Sequence, residues 1–155
     1  MITKTRILSI DGGGIKGIVP AVVLKHLEKY LRQFSNNPDA RILDYFDLFS
    51  GASTGAIIIA GLLSPDNQGR PKYTAEEIIN LYIENGHVIF NASVFQEIKS
   101  VSGLVNVKYD PKGIESVFEE YFGNTQLKDL LKPTLIPVYE PVSYTHLTLP
   151  TIYSV

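Results

Sequence analysis

The sequence predicts an α/β layered fold built on a mainly parallel sheet. Two observations carry that expectation. Short β-type runs alternate with segments of helical spacing, and two glycine-rich turns each stand between a strand and the helix after it. The first run, Ile7-Leu8-Ser9-Ile10, ends at Asp11-Gly12-Gly13-Gly14-Ile15-Lys16-Gly17. Val19, Val22, Val23, Leu27, Tyr30 and Leu31 then recur at helical spacing, with Pro20 in the first turn, where its missing N–H costs nothing. Ser35 to Asp39 is a polar break. Tyr45-Phe46-Asp47-Leu48-Phe49 reads as the second strand, leading through Gly51-Ala52-Ser53-Thr54-Gly55 into the run Ala56 to Leu63. That run is apolar on every side, which predicts a buried helix. Ser64 to Tyr73 is a loop containing Pro65, Asn67, Gly69 and Pro71. Thr74-Ala75-Glu76-Glu77 is a capping box that opens a helix through about Ile89. Asn91 to Tyr109 reads mostly as loop. Asp110-Pro111 opens a further helix stopped by Gly123, and Thr134 to Tyr139 is a third strand.

A chain of 155 residues suffices for one domain with a core, and 45% hydrophobic against 19% charged residues marks it as globular rather than disordered. A net charge of -2 gives no reason to expect nucleic acid, and there is no polybasic patch for anionic membranes. The absence of cysteine excludes disulfides, thiolate metal sites and cysteine nucleophiles. His26, His87 and His146 lack metal-ligand spacing and no acidic loop has calcium spacing, so neither metal nor cofactor is expected. No apolar run is long enough to cross a bilayer. The start, Met1 to Arg6, lacks the apolar core of a signal peptide, so the expected location is cytoplasmic, at most peripheral to a membrane. Asn91-Ala92-Ser93 matches the glycosylation acceptor pattern by chance on that reading. The aromatic residues from Tyr109 to Phe122 read as core and the acidic run Glu115 to Glu120 as a solvated face.

Residues 141–155 carry no charged residue and do not continue the α/β rhythm. They resemble the peptide produced when adapter DNA is translated at the end of an assembled read. The expectation is a native portion over residues 1–140 and a non-native tail over 141–155, with an ordinary terminal strand and loop as the alternative. His146 is accordingly given no role.

Gly51-Ala52-Ser53-Thr54-Gly55 fits G-x-S-x-G between a strand and an apolar helix. A nucleophile on such a turn stands clear of the backbone, the flanking small residues relieve crowding, and the following helix N-terminus supplies N–H groups and a positive dipole end. The alternative is a plain helix cap by Ser53 or Thr54. The earlier glycine loop fits a dinucleotide pattern through Gly12, Gly14 and Gly17, but Asp11 would repel pyrophosphate and no second strand ends in an acid at the expected distance. A sugar-kinase phosphate loop should lead into a strand, whereas Val19 to Leu31 is helical. An idle turn leaves three glycines as an unexplained entropic cost. An oxyanion hole accounts for them, because glycines let successive N–H groups converge on a developing negative oxygen, with Lys16 adding positive potential.

Together, Asp11-Gly12-Gly13-Gly14-Ile15-Lys16-Gly17 and Gly51-Ala52-Ser53-Thr54-Gly55 resemble the Asp-Gly-Gly-Gly-x-[Arg/Lys]-Gly and Gly-x-Ser-x-Gly motifs of the patatin-like phospholipases, over about Ile7 to Tyr139. The resemblance implies a three-layer α/β/α fold and a lipid acyl hydrolase working at a membrane or micelle surface. It further implies a Ser-Asp dyad, an acyl-enzyme on Ser53, and an oxyanion hole from the Gly12–Gly14 loop with Lys16 and Gly17. The family aspartate lies in a later Asp-Gly-Gly or Asp-Gly-Ala. The only Asp-Gly here is Asp11-Gly12. No base is therefore assigned, the domain is expected to be incomplete at its C-terminus, and the 155 residues alone are expected to be inactive. A nucleotide-binding protein, or a patatin-fold module without catalysis, are the alternative functions.

Overall fold

The computed structural model describes residues 4–90, 112–140 and 145–150. The expected loop from Asn91 to Tyr109, the Asn91-Ala92-Ser93 pattern, and Asp110 and Pro111 lie outside the described residues. The elements are β1 (Ile7–Ile10), α1 (Ile18–Ser35), β2 (Leu48–Gly51), α2 (Thr54–Leu63), α3 (Ala75–Ile89), α4 (Lys112–Phe122), β3 (Thr134–Glu140) and β4 (Thr145–Pro150). Short 3-10 turns cover Gly14–Gly17, Ile42–Asp44 and Leu127–Asp129. The sheet order is β1-β2-β3-β4. The first three strands are parallel and β4 is antiparallel to β3. This is the mainly parallel open sheet with helices expected of an α/β/α fold. It is incomplete, because the outer edge of β1 carries no strand among the described residues.

Several sequence signals act as expected. Thr74 and Glu77 cap α3 reciprocally, the Thr74 N–H donating to Glu77 Oε2 at 2.8 Å and the Glu77 N–H to Thr74 Oγ1 at 3.2 Å. Gly123 follows α4 with φ 54°, a left-handed residue that stops a helix cheaply only as glycine. The Tyr121 carbonyl at the end of α4 accepts from the Tyr73 hydroxyl at 2.6 Å and from Lys72 Nζ at 2.9 Å, which ties α4 to the loop before α3.

Other expectations need correction. The second strand begins at Leu48, not Tyr45, because the Ile42–Asp44 turn, with the Arg41 N–H donating to Asp44 Oδ2 at 2.9 Å, takes up the preceding chain. Asp47 therefore precedes the strand, and its carboxylate accepts the Arg6 N–H at 2.8 Å, pinning the start of β1. α2 is not buried all round. Ile58, Ile59, Leu62 and Leu63 are buried in the core, but Ala56, Ile57 and Ala60 are only half-buried. Within residues 141–155, Thr145–Pro150 forms β4, with register from Glu140↔Thr145 to Leu135↔Pro150, a pairing that agrees with either reading of that stretch.

The core runs from Ile10 and Phe49 on the sheet through Ile58 and Leu63 to Tyr82 on α3. Among the described residues one buried acidic side chain sits in it. Glu28 is only 3% exposed. Its Oε1 accepts from Arg32 at 2.5 Å and from the Ala75 N–H at 3.3 Å, and its Oε2 accepts from the Ile42 N–H at 3.4 Å. Arg32 Nε donates onward to the Ala40 carbonyl at 3.1 Å. One carboxylate thus joins α1, the Ile42–Asp44 turn and the N-terminus of α3, where an anion is favoured and the first N–H groups lack helical partners. Glu28→Ala leaves the guanidinium and two N–H groups uncompensated. It is expected to cost about 2–3 kcal/mol, read as a lower urea midpoint with unchanged slope.

Candidate functional site

Parallel pairing brings both glycine-rich turns to one sheet edge. The register Ile10↔Gly51 makes β1 and β2 end together, and the Ala52 N–H continues the pairing to the Ile10 carbonyl at 3.2 Å. The loop that starts at Asp11 therefore lies against Ala52 and Ser53. The approach is close enough to forbid side chains. A Cβ on Gly12 would sit 2.9 Å from Ser53 Cβ and 3.0 Å from the Ala52 carbonyl oxygen. One on Gly51 would sit 2.5 Å from the Gly55 carbonyl group, and one on Gly55 would run into the Ile10 carbonyl oxygen.

Ser53 occupies the position before the first turn of α2 with φ 52° and ψ −119°. A non-glycine residue there is strained by about 1–3 kcal/mol and persists only where its surroundings over-determine it. Its side chain is exposed and makes no capping hydrogen bond to the helix. The turn is closed by backbone alone, the Gly55 N–H donating to the Ala52 carbonyl and the Ala56 N–H to the Ser53 carbonyl, both at 2.9 Å. Thr54 does not cap either: it is 1% exposed and its Oγ1 has no hydrogen-bond partner among the described residues. The plain-cap alternative thus finds no side-chain hydrogen bond at this helix start.

The glycine loop leads into the 3-10 turn Gly14–Gly17 and directly on into α1. Gly12 and Gly13 are exposed, and a Cβ on Gly13 would have room, its nearest neighbour being Lys16 Cβ at 3.6 Å. Gly14 needs its glycine for a left-handed φ of 59°. No side chain caps this turn, so its first N–H groups are free of the usual side-chain acceptor. Lys16 is exposed, and Gly17 is buried against Thr54, where a Cβ would sit 2.8 Å from Oγ1. A cleft of about 560 Å3 runs from Ile10 past Gly12, Gly13 and Lys16 to Val19 and Val23 of α1.

Two supporting residues lie outside both glycine motifs. Tyr82 of α3 is 1% exposed and its hydroxyl donates to the Thr54 carbonyl at 2.9 Å, bracing the first turn of α2. Burial pushes its phenol up to about 12, against a smaller opposing effect of the hydrogen bond. Gly86, also on α3, leaves space for Ile15 of the glycine loop, whose Cδ1 would lie 2.7 Å from a Cβ there. A glycine inside an otherwise regular helix was the available signal. Among the described residues no carboxylate or imidazole hydrogen-bonds Ser53, and no cluster of three or more metal-ligating side chains occurs. His26 and His87 are exposed on α1 and α3. No described helix is long and apolar enough to cross a membrane.

The family model described as patatin-like phospholipase matches residues 8–153. Patatin-like protein 2 of Oryza sativa subsp. indica is 39% identical over 156 residues, covering 99% of this chain and 37% of its own length. Patatin-17 of Solanum cardiophyllum is 39% identical over 144 residues, covering 90% of this chain and 35% of its own length. Patatin-like protein 4 of Arabidopsis thaliana is 37% identical over 134 residues, covering 86% and 33%. The chain therefore spans about a third of the length of these relatives.

Two substitutions in the glycines separate backbone contact from free space. Gly55→Ala is expected to destabilise by more than about 3 kcal/mol, and Gly13→Ala by less than about 0.5 kcal/mol, in parallel urea titrations. Tyr82→Phe is expected to cost about 1 kcal/mol at neutral pH. Because the folded-state pKa of Tyr82 lies above its ordinary 10.0, the stability it contributes is intact below pH 10 and lost as pH rises toward about 12. The difference in stability between wild type and Tyr82→Phe should shrink over that window.

Proposed function

The chain belongs to the patatin-like phospholipase family, and we propose that it is the N-terminal portion of a serine-dependent lipid acyl hydrolase whose nucleophile is Ser53. The observation that carries this reading is the strained, exposed Ser53, held with φ 52° against a glycine loop that leaves no room for a side chain at Gly12. Strain at an exposed hydroxyl that caps nothing has an account if that hydroxyl reacts.

In this reading Ser53 Oγ attacks the carbonyl carbon of a lipid ester at a membrane or micelle surface. Its proton passes to an aspartate. The carbonyl oxygen, now negative, is met by N–H groups of the Gly12-Gly13-Gly14 loop and of Thr54 at the start of α2, with Lys16 raising the local potential. The aspartate returns the proton to the departing alkoxide as the tetrahedral centre collapses to an acyl-enzyme. Water, deprotonated by the same aspartate, then attacks the acyl carbon, and the serine recovers its proton as the fatty acid leaves. We place that aspartate in the part of the family's length that this chain does not span. The outer edge of β1, which pairs with no strand among the described residues, is a place where further strands can join the sheet.

The 155-residue chain alone is expected to hydrolyse p-nitrophenyl esters no faster than background. Joining residues 1–140 to the remaining C-terminal part of Patatin-17 is expected to restore hydrolysis, and Ser53→Ala in that chimera to lower kcat/KM by at least about 10³-fold. Hydrolysis by either form that survives Ser53→Ala would overturn the assignment. A nucleotide-dependent rise in melting temperature would instead favour the phosphate-loop alternative.

A further inference from the structure

We propose that Ile15 is a positioning residue of the glycine loop: seated on Gly86 of α3, its side chain fixes the N–H groups of Gly12, Gly13 and Gly14 relative to Ser53. This rests on the function proposed above. The two ends of the loop are held by close packing. Gly12 lies against Ala52 and Ser53, and Gly17 against Thr54 and the Tyr82 hydroxyl, which would stand 3.1 Å from a Cβ there. Between those ends the restraint is light. Gly13 has room around it, Lys16 is exposed, and no side chain caps the turn. The turn is closed on itself by the Lys16 N–H donating to the Gly13 carbonyl at 3.2 Å. The donors meant for the substrate's oxygen thus lie on a lightly supported part of the loop, and Ile15 ties that part to another element.

The seat is built into α3. Gly86 is buried inside that helix, where glycine is the poorest helix former after proline. Among the described residues, the one atom within 4 Å of a Cβ there is Ile15 Cδ1, at 2.7 Å. Accommodating Ile15 therefore accounts for the glycine. Ile15 itself is 49% exposed, so core packing does not explain where its tip lies. Gly86 also stands one turn after Tyr82, and residues four apart share a helix face. The Tyr82 hydroxyl donates to the Thr54 carbonyl at 2.9 Å. One stripe of α3 thus holds the first turn of α2 through Tyr82 and the glycine loop through Gly86, about 6 Å apart at 1.5 Å per residue. Nucleophile and oxyanion donors are both referred to a single helix. The donors stabilise the transition state only at hydrogen-bond distance from the oxygen, and a displacement of about 1 Å can cost about 10²-fold in rate.

Amide hydrogen exchange on the 155-residue chain, read by NMR, tests the seat. Ile15→Ala is expected to speed exchange of the Lys16 amide about fivefold or more, while the amides of Ile58 and Ile59 in the core exchange as in wild type. Ile15→Val, which removes only Cδ1, should speed it less, and is the variant to use should Ile15→Ala fail to fold. Adding Gly86→Ala to Ile15→Val returns a methyl to the contact from the other side and should restore slow exchange. An unchanged Lys16 amide in Ile15→Ala, or no recovery in the double variant, would overturn the seat. In the chimera, Ile15→Ala should lower kcat for p-nitrophenyl butyrate about tenfold or more with KM within about twofold, and the double variant should keep kcat near wild type. A loss confined to KM, or an unchanged kcat, in an active, Ser53-dependent chimera overturns the positioning role and leaves the nucleophile standing. Activity independent of Ser53 overturns the function instead.

Discussion

Everything at this site depends on backbones that touch where side chains ordinarily keep them apart. β1 and β2 end in register, and just beyond their ends Gly12 lies on Ser53, Gly55 on the Ile10 carbonyl, and Gly51 on Gly55. Each contact admits hydrogen and nothing larger. The chain can make them only with glycine, and once made they leave the serine one conformation, with a positive φ that a free peptide rarely adopts. The strain at Ser53 is sustained because the turn has no room to relax. Interiors packed at this density transmit a displacement rather than absorb it.

Behind the turn a second set of contacts keeps α2 in place. Gly17 packs on Thr54, the Tyr82 hydroxyl meets the Thr54 carbonyl, and Ile15 fits the space left by Gly86. These link the glycine loop, the serine turn and α3 at a single buried corner. Three turns farther along the same face of α1, Glu28 joins that helix to the start of α3 and to the turn before β2. The two groups of contacts share α3, which explains how a helix that supplies no reacting atom bears on the geometry of both loops.

α2 combines roles that are usually divided. Its first turn is closed by backbone hydrogen bonds around Ser53, one side fills the core, and Ala56, Ile57 and Ala60 stay half-buried. The chain belongs to the patatin-like phospholipases and spans about a third of the length of its relatives.

Much was written in local sequence. Glycine spacing, the Thr74–Glu77 cap, the stop at Gly123 and the strand–turn–helix order around Ser53 depend on residues a few positions apart, so their chemistry can be read without a fold. The two motifs named the family on the same basis. What the sequence could not decide is which surfaces meet. The apolar neighbours of Asp47 predict a strand there, yet its carboxylate holds the Arg6 N–H and the strand starts after it. Apolar residues on every side of α2 predict an interior helix, yet Ala56, Ile57 and Ala60 are only half-buried. Tyr82 gave no signal, because its hydrogen bond spans 28 residues. Propensity and capping are local energies that the chain carries with it. Burial and strain at Ser53 are set by what packs alongside, and that exists only once the chain has folded.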